Sequence, residues 1–108
     1  MQRRLTELEQ LILLAIMRLD EAYGVTIQCE IEARTGSDVQ SGSVYKTLRR
    51  LERAGLVTAS MGDPTPQRGG RRKRFFELTP RGEATLRAAV EGVAAMATGL
   101  GLRNIASR

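Results

Sequence analysis

The most constraining feature of the sequence is a stretch rich in glycine, proline and arginine at residues 61–73, which disfavours both helix and strand. Short runs of strand-forming residues flank it, at residues 56–60 and 74–78. Two short strands around a basic loop of this composition are predicted to form a hairpin, the wing of a small domain.

The first helix is predicted to begin at a capping box, because Thr6 is followed three residues later by Glu9. The apolar residues that follow lie on nearly all sides of this helix, which is typical of a helix covered from more than one direction. In a chain of 108 residues, a second subunit is a natural cover.

Two more helices are predicted before the hairpin. The second spans about residues 25–34 and places Ile27 and Ile31 in the core. The third spans about residues 41–54, with Ser41 as its expected N-cap.

A fourth helix is predicted after the hairpin, because Thr79-Pro80 is a typical helix start. Its apolar residues are spaced by four and three, which favours a seam between two helices. The predicted dimer interface comprises Leu8 and Ile12 of the first helix and Leu86, Val90, Val93, Ala97 and Leu100 of the fourth. The alternative is a fourth helix that packs only on its own core.

This order of elements predicts a mainly α (α+β) fold, a winged helix-turn-helix with a C-terminal dimerisation helix. We expect residues 1–80 to form the winged-helix domain and residues 81–108 the dimerisation helix. The stretch at residues 61–73 is the wing of this fold.

Positive charge is concentrated in the middle of the chain. Residues 40–82 carry ten basic and three acidic side chains, although the whole chain has a net charge of only +5. Such a segment favours a polyanionic partner.

The third helix has an apolar face and a basic face. At about 100° per residue, Val44, Leu48 and Leu51 share one side. The opposite side carries Gly42, Lys46, Arg49 and Arg53, with Arg50 at its flank. Such a helix packs on its own domain and offers cations to phosphates and base edges. A solvated basic face on an ordinary helix is the alternative.

The start of the third helix carries further groups suited to DNA. Ser41 and Ser43 offer hydroxyls beside free backbone N–H groups, which favour phosphate. Gly42 allows the backbone to approach another molecule closely. Tyr45, beside the basic face, is a hydrogen-bond donor for phosphate.

The wing adds five cations within residues 68–74, namely Arg68, Arg71, Arg72, Lys73 and Arg74. Such a run repels itself unless phosphates neutralise it, although a basic linker that only aids solubility has the same composition. A basic helix followed by a basic wing predicts binding to double-stranded DNA. A winged helix that binds RNA or a protein partner remains the alternative.

Enzymatic and metal chemistry have little support in the sequence. There is no histidine, and the single cysteine, Cys29, excludes an internal disulfide. We expect no catalytic residue, no metal and no cofactor. No basic side chain lies within four positions of Cys29 in the sequence, and we interpret it as an incidental residue rather than a redox switch.

A membrane location is not expected. The longest apolar run at the start, residues 11–17, is too short to span a bilayer and is preceded by acidic residues, unlike a signal peptide. We expect a soluble, cytoplasmic protein.

Several short motifs together resemble one family. They are Tyr23-Gly24, Gly42-Ser43-Val44-Tyr45, residues 48–52, residues 55–57, residues 69–76 and Leu78-Thr79. From about Leu5 to Leu86, the chain resembles the PadR-like family of bacterial transcriptional regulators, in its short form with a single C-terminal helix.

The resemblance implies a winged-helix domain and a homodimer formed by the C-terminal and first helices. It also implies a palindromic operator, usually bound by a repressor. Ser41, Ser43, Tyr45, Lys46 and the wing arginines match the DNA-contacting region of the family. Whether a small-molecule inducer acts on this chain stays open.

Overall fold

The computed structural model of the protein describes residues 4–62 and 73–102. Its elements are α1 (Glu7–Arg18), α2 (Gly24–Thr35), α3 (Ser41–Arg53), β1 (Val57–Met61), β2 (Arg74–Leu78) and α4 (Pro80–Ala97). The predicted wing residues Arg68, Arg71 and Arg72 lie outside the described residues.

The predicted capping box of α1 is confirmed. The Glu9 backbone N–H donates to Thr6 Oγ1 at 3.1 Å, and the Thr6 N–H donates to Glu9 Oε1 at 2.9 Å. One side of α1 fills the core with residues such as Ile12 and Leu13, both 0% exposed. Another side leaves Met17 58% exposed, so residues 4–62 and 73–102 do not cover this helix completely.

Helices α2 and α3 form the helix-turn-helix. Ile27 and Ile31 are buried, as predicted. The N-cap of α3 is Gln40 and not Ser41, which corrects the prediction by one residue. The reason is that Gln40 has extended backbone angles while its carbonyl already accepts the Val44 N–H at 3.2 Å, so Ser41 is the first helical residue.

Strands β1 and β2 pair antiparallel, from Val57 opposite Leu78 to Met61 opposite Arg74. Strand β1 begins one residue later than predicted, because the Leu56 N–H donates to Leu51 O at 3.0 Å and so belongs to the turn that ends α3. The hairpin is held to the helices by the Phe76 N–H, which donates to Ala22 O at 2.8 Å.

Helix α4 packs only in part on the core. Thr79 caps it, as predicted, with its hydroxyl accepting the Gly82 N–H at 2.9 Å. Thr85 and Leu86, in its first half, are buried, whereas Val93 is 53% exposed. The helix ends at Ala97, so the predicted seam residue Leu100 lies beyond it.

The observed architecture is a mainly α winged helix-turn-helix whose core is formed by all four helices and the hairpin. Among residues 4–62 and 73–102, no helix is long and apolar enough to cross a membrane.

Candidate nucleic-acid interface

Helix α3 presents a basic face because its opposite side is anchored in the core. Val44 and Leu51 are 0% exposed and Leu48 is 1% exposed. On the other side, Lys46, Arg49 and Arg53 are exposed. In the part of the chain that the structure describes, these three cations form no ion pair. Their charges are therefore available to an anionic ligand.

The first turn of α3 is open to solvent. Ser41 and Gly42 are exposed, and Ser43 is half-buried. A Cβ placed on Gly42 would meet no atom of the described residues within 4 Å. The first backbone N–H groups of a helix have no partner inside it, so this turn offers donors to an anion.

Tyr45 packs against the start of α2. Its ring lies so close to Gly24 that a Cβ at that position would overlap ring atoms unless the Tyr45 side chain shifted. Tyr45 is still 46% exposed. The sequence predicted this residue as a hydrogen-bond donor, and the structure shows that its ring also fixes α3 against α2.

The base of the wing meets α2 through a cation–π contact. Lys73 Nζ lies 5.0 Å from the centroid of the Tyr23 ring. The same ring packs edge-on against Phe75, with centroids 5.5 Å apart and planes at 85°. Tyr23 was not predicted as a site residue, since its role depends on β2 reaching the start of α2.

These elements surround a common cavity of about 380 Å³. Its lining includes Tyr23, Tyr45, Arg49, Lys73 and Arg74. The fold therefore gathers predicted residues of α3 and of the wing base on one surface, which we call the basic surface. Phosphate groups fit such a surface chemically, because its cations and phenol hydroxyls all donate hydrogen bonds to anions.

Two cations of this region are bound to carboxylates. Arg74 Nη2 lies 3.0 Å from Glu52 Oε2, with both side chains partly exposed. Arg50 Nε lies 3.0 Å from Glu9 Oε2, and the Glu9 side chain is only 1% exposed. Glu9 was predicted only as a capping residue, and its contact with α3 could not be found from local sequence.

The predicted dimer residues occupy two kinds of position. Ile12 and Leu86 are 0% and 3% exposed and belong to the core of the chain itself. At this level α4 packs back on α1, which leaves these two side chains little surface for a second subunit.

The other predicted interface residues retain surface. Val93 and Leu100 are 53% and 69% exposed, whereas Leu8, Val90 and Ala97 are half-buried. A groove of about 280 Å³ runs between α1 and α4, with Leu14, Met17 and Val90 in its lining. The prediction did not include the exposed Met17 and Met96.

Cys29 is exposed on α2, on the side away from the core as its position between Ile27 and Ile31 predicted. Within residues 4–62 and 73–102, no group of three or more cysteine or acidic side chains is placed to hold a metal ion.

Comparison with known proteins gives one family. The model of the transcriptional regulator PadR-like family matches residues 13–88. No curated protein matches the chain. A PadR-like transcriptional regulator from Bacillus cereus has a similar structure, with a TM-score of 0.70 and 22% identity over 86% of this chain and 86% of that chain.

Two further solved structures are informative. A PadR family regulator from Clostridium difficile has a TM-score of 0.69 at 20% identity, covering 84% of this chain and 91% of that chain. Bacillus subtilis PadR, solved in complex with operator DNA, has a TM-score of 0.65 at 23% identity, covering 78% of this chain and 46% of that chain. At such identities, these likenesses show a shared fold.

Proposed function

Because the chain belongs to the PadR-like family of transcriptional regulators, we propose that it binds a palindromic DNA operator as a homodimer and represses transcription there. The observation that carries the proposal is the basic surface, where Arg49 of α3 lines the same cavity as Lys73 at the base of the wing. Lys46 and Arg53 are exposed on the same helix. The Bacillus subtilis PadR structure contains operator DNA, and this chain shares its fold.

In this proposal, α3 lies in the major groove. Lys46 and Arg49 reach base edges and phosphates from a helix whose apolar side is buried in the core. Ser41, Gly42 and Ser43 bring the first turn of α3 against the DNA backbone. Tyr45 donates its hydroxyl to phosphate while its ring stays on Gly24.

The wing supplies the sequence-independent part of the affinity. Arg68, Arg71, Arg72 and Lys73 are proposed to contact phosphates or to enter the minor groove. A glycine-rich segment suits these contacts better than it suits base readout, because base readout needs a side chain held in one place.

The second subunit is proposed to cover the exposed apolar side chains of α1 and α4. Val93, Met96 and Leu100 are large apolar residues that are more than half exposed. A two-fold dimer places two α3 helices at successive major grooves, about 34–36 Å apart, and its symmetry requires a palindromic site. Occupation of such a site in a promoter would exclude other proteins, which is the basis for repression.

As a DNA-binding regulator of a bacterial family, the chain is proposed to act in the cytoplasm and to have no catalytic activity of its own. We also propose the division into a DNA-binding part, residues 1–80, and a dimerising part, residues 81–108.

Selection of bound sequences from random duplex DNA, followed by footprinting, tests the proposed function. We expect enrichment of a two-fold symmetric sequence and protection of both half-sites. A module that binds RNA or a protein partner instead would enrich no duplex sequence and would bind duplex DNA weakly even at low salt.

A further inference from the structure

One ion pair links the recognition helix to the first helix of the chain. Arg50 Nε donates to Glu9 Oε2 at 3.0 Å, across 41 positions of sequence. The other carboxylate oxygen, Oε1, accepts the Thr6 N–H at 2.9 Å. Glu9 is 1% exposed, whereas the Arg50 side chain is 45% exposed.

This pair is a strong geometric constraint because the carboxylate is buried. A buried charge is costly unless it is paired and hydrogen-bonded, so the contact of Glu9 with Arg50 is favoured in the folded chain. A charge-assisted hydrogen bond also requires a defined distance and direction. The apolar contacts of Val44, Leu48 and Leu51 are non-directional and permit small rotations of α3.

A small rotation of α3 matters for reading bases. Side-chain tips lie about 5–6 Å from a helix axis, so a rotation of about 20° moves them by roughly 2 Å. Hydrogen bonds to base edges form only between about 2.7 and 3.2 Å. Lys46 lies one turn before Arg50 on the surface of α3, and Arg49 directly precedes Arg50 in sequence. A rotation of α3 that displaces Arg50 therefore displaces Lys46 and Arg49 as well.

We propose that Arg50 is a positioning residue, which Glu9 holds so that α3 presents Lys46 and Arg49 to the correct base edges, and that Arg50 itself does not clamp phosphate. This inference rests on the proposed function and extends it to Glu9, a buried residue outside the basic surface. The discrimination between operator and other DNA then depends on an ion pair inside the protein.

The decisive variant is Glu9→Gln. The amide oxygen still accepts the Thr6 N–H, but the amide NH2, a donor, then lies opposite the Arg50 guanidinium, so the charge-assisted hydrogen bond is lost. Removing a negative charge would strengthen binding to all DNA if only net charge mattered. We expect operator binding to weaken instead. The ratio of operator to scrambled affinity should fall by at least about fivefold, which is the effect of losing one base contact.

Arg50→Gln is expected to lower the same ratio to a similar extent and to leave the salt dependence of binding unchanged. A phosphate clamp would instead lose about one unit of the log–log salt slope. The double variant should lose no more than either single variant, because both break the same interaction. Arg53→Gln is the matched control, since it removes the same charge from an exposed residue of α3 and should weaken operator and scrambled binding equally.

The probes are a duplex selected by the wild-type protein from a random pool and a scrambled duplex of equal composition, titrated at several salt concentrations. Should either glutamine variant fail to fold, Arg50→Lys decides, because lysine keeps the charge but lacks the planar guanidinium geometry. For Arg50→Lys, a lower ratio of operator to scrambled affinity with an unchanged salt slope supports the positioning role of Arg50. An unchanged ratio overturns that role.

Two results would overturn the inference while leaving the proposed function intact. One is a Glu9→Gln variant that folds and keeps the wild-type ratio. The other is an Arg50→Gln variant that behaves like Arg53→Gln and loses about one unit of salt slope. Failure of the proposed function itself would show differently, as a wild-type protein that selects no duplex sequence.

Discussion

Gly42→Ala is expected to stabilise the free protein and to weaken its binding to the operator. In the free chain, a Cβ at this position meets no atom within 4 Å, so the methyl group has room. Alanine in place of an exposed helical glycine gains about 0.5–1 kcal/mol, because the unfolded chain loses conformational freedom. For a domain of this size, that gain corresponds to a rise in Tm of roughly 2–8 °C.

The effect on DNA binding has the opposite sign if the first turn of α3 lies on the DNA backbone. The methyl group would separate a backbone N–H from its phosphate and remove a hydrogen bond to a charged group, which is worth about 1.5–3 kcal/mol. Operator affinity should then fall roughly 10- to 100-fold. Thermal denaturation measures the first effect, and titration with the selected duplex measures the second.

Gly92→Ala is the matched control. Gly92 lies in α4 and its added Cβ also meets no atom within 4 Å. Gly92→Ala should raise Tm about as much as Gly42→Ala does and should leave operator affinity unchanged. Affinities are compared at concentrations where sedimentation shows both glycine variants to be dimers. If Gly42→Ala binds the operator as tightly as the wild-type protein, the close approach of α3 to DNA is refuted.

Three further outcomes are expected. Val93→Glu should convert a dimer to a monomer in sedimentation, because it buries like charges across the two-fold axis. Ala33→Glu, on an exposed position of α2, is the control and should remain dimeric. Dimers for both variants would contradict the proposed interface. Operator affinity should fall by a factor of roughly 10³–10⁵ between 50 and 200 mM salt if each dimer makes about 6–10 phosphate contacts. A slope of log affinity against log salt concentration shallower than about −3 would show that the basic surface is not the DNA-binding surface. Arg71→Ala should weaken binding to operator and scrambled duplexes alike, whereas Lys46→Ala should weaken operator binding more; equal losses for Lys46→Ala would make it a phosphate contact.

Local sequence predicted most of the fold correctly. The capping box at Thr6 and Glu9, the strand Arg74–Leu78 and the helix start at Thr79-Pro80 are all confirmed. Each depends on residues close together in the chain, whose backbone preferences and hydrogen bonds act whatever the tertiary context. The apolar side of α3 was equally clear, because a 3.6-residue period marks a buried face.

The exact ends of the helices, and which apolar side chains are buried, were less predictable. The N-cap of α3 is Gln40 and not the predicted Ser41, because backbone angles decide which residue is the cap and side-chain preference alone does not. Ile12 and Leu86 have the same apolar character as the exposed Val93 and Leu100. Only the packing of α4 on α1 decided that both are core residues.

The winged helix-turn-helix, with its basic third helix and basic wing, could be predicted from the sequence, because hydrophobic period, turn residues and charge are local properties. How the cations are used depends on the tertiary structure. Arg50 and Glu9 are 41 positions apart, and no local pattern pairs them. Lys73 meets Tyr23 only because the hairpin folds back on the start of α2. Distances between residues far apart in sequence arise from the packing of whole elements, and they separate the cations that remain free for DNA from those that hold the protein together.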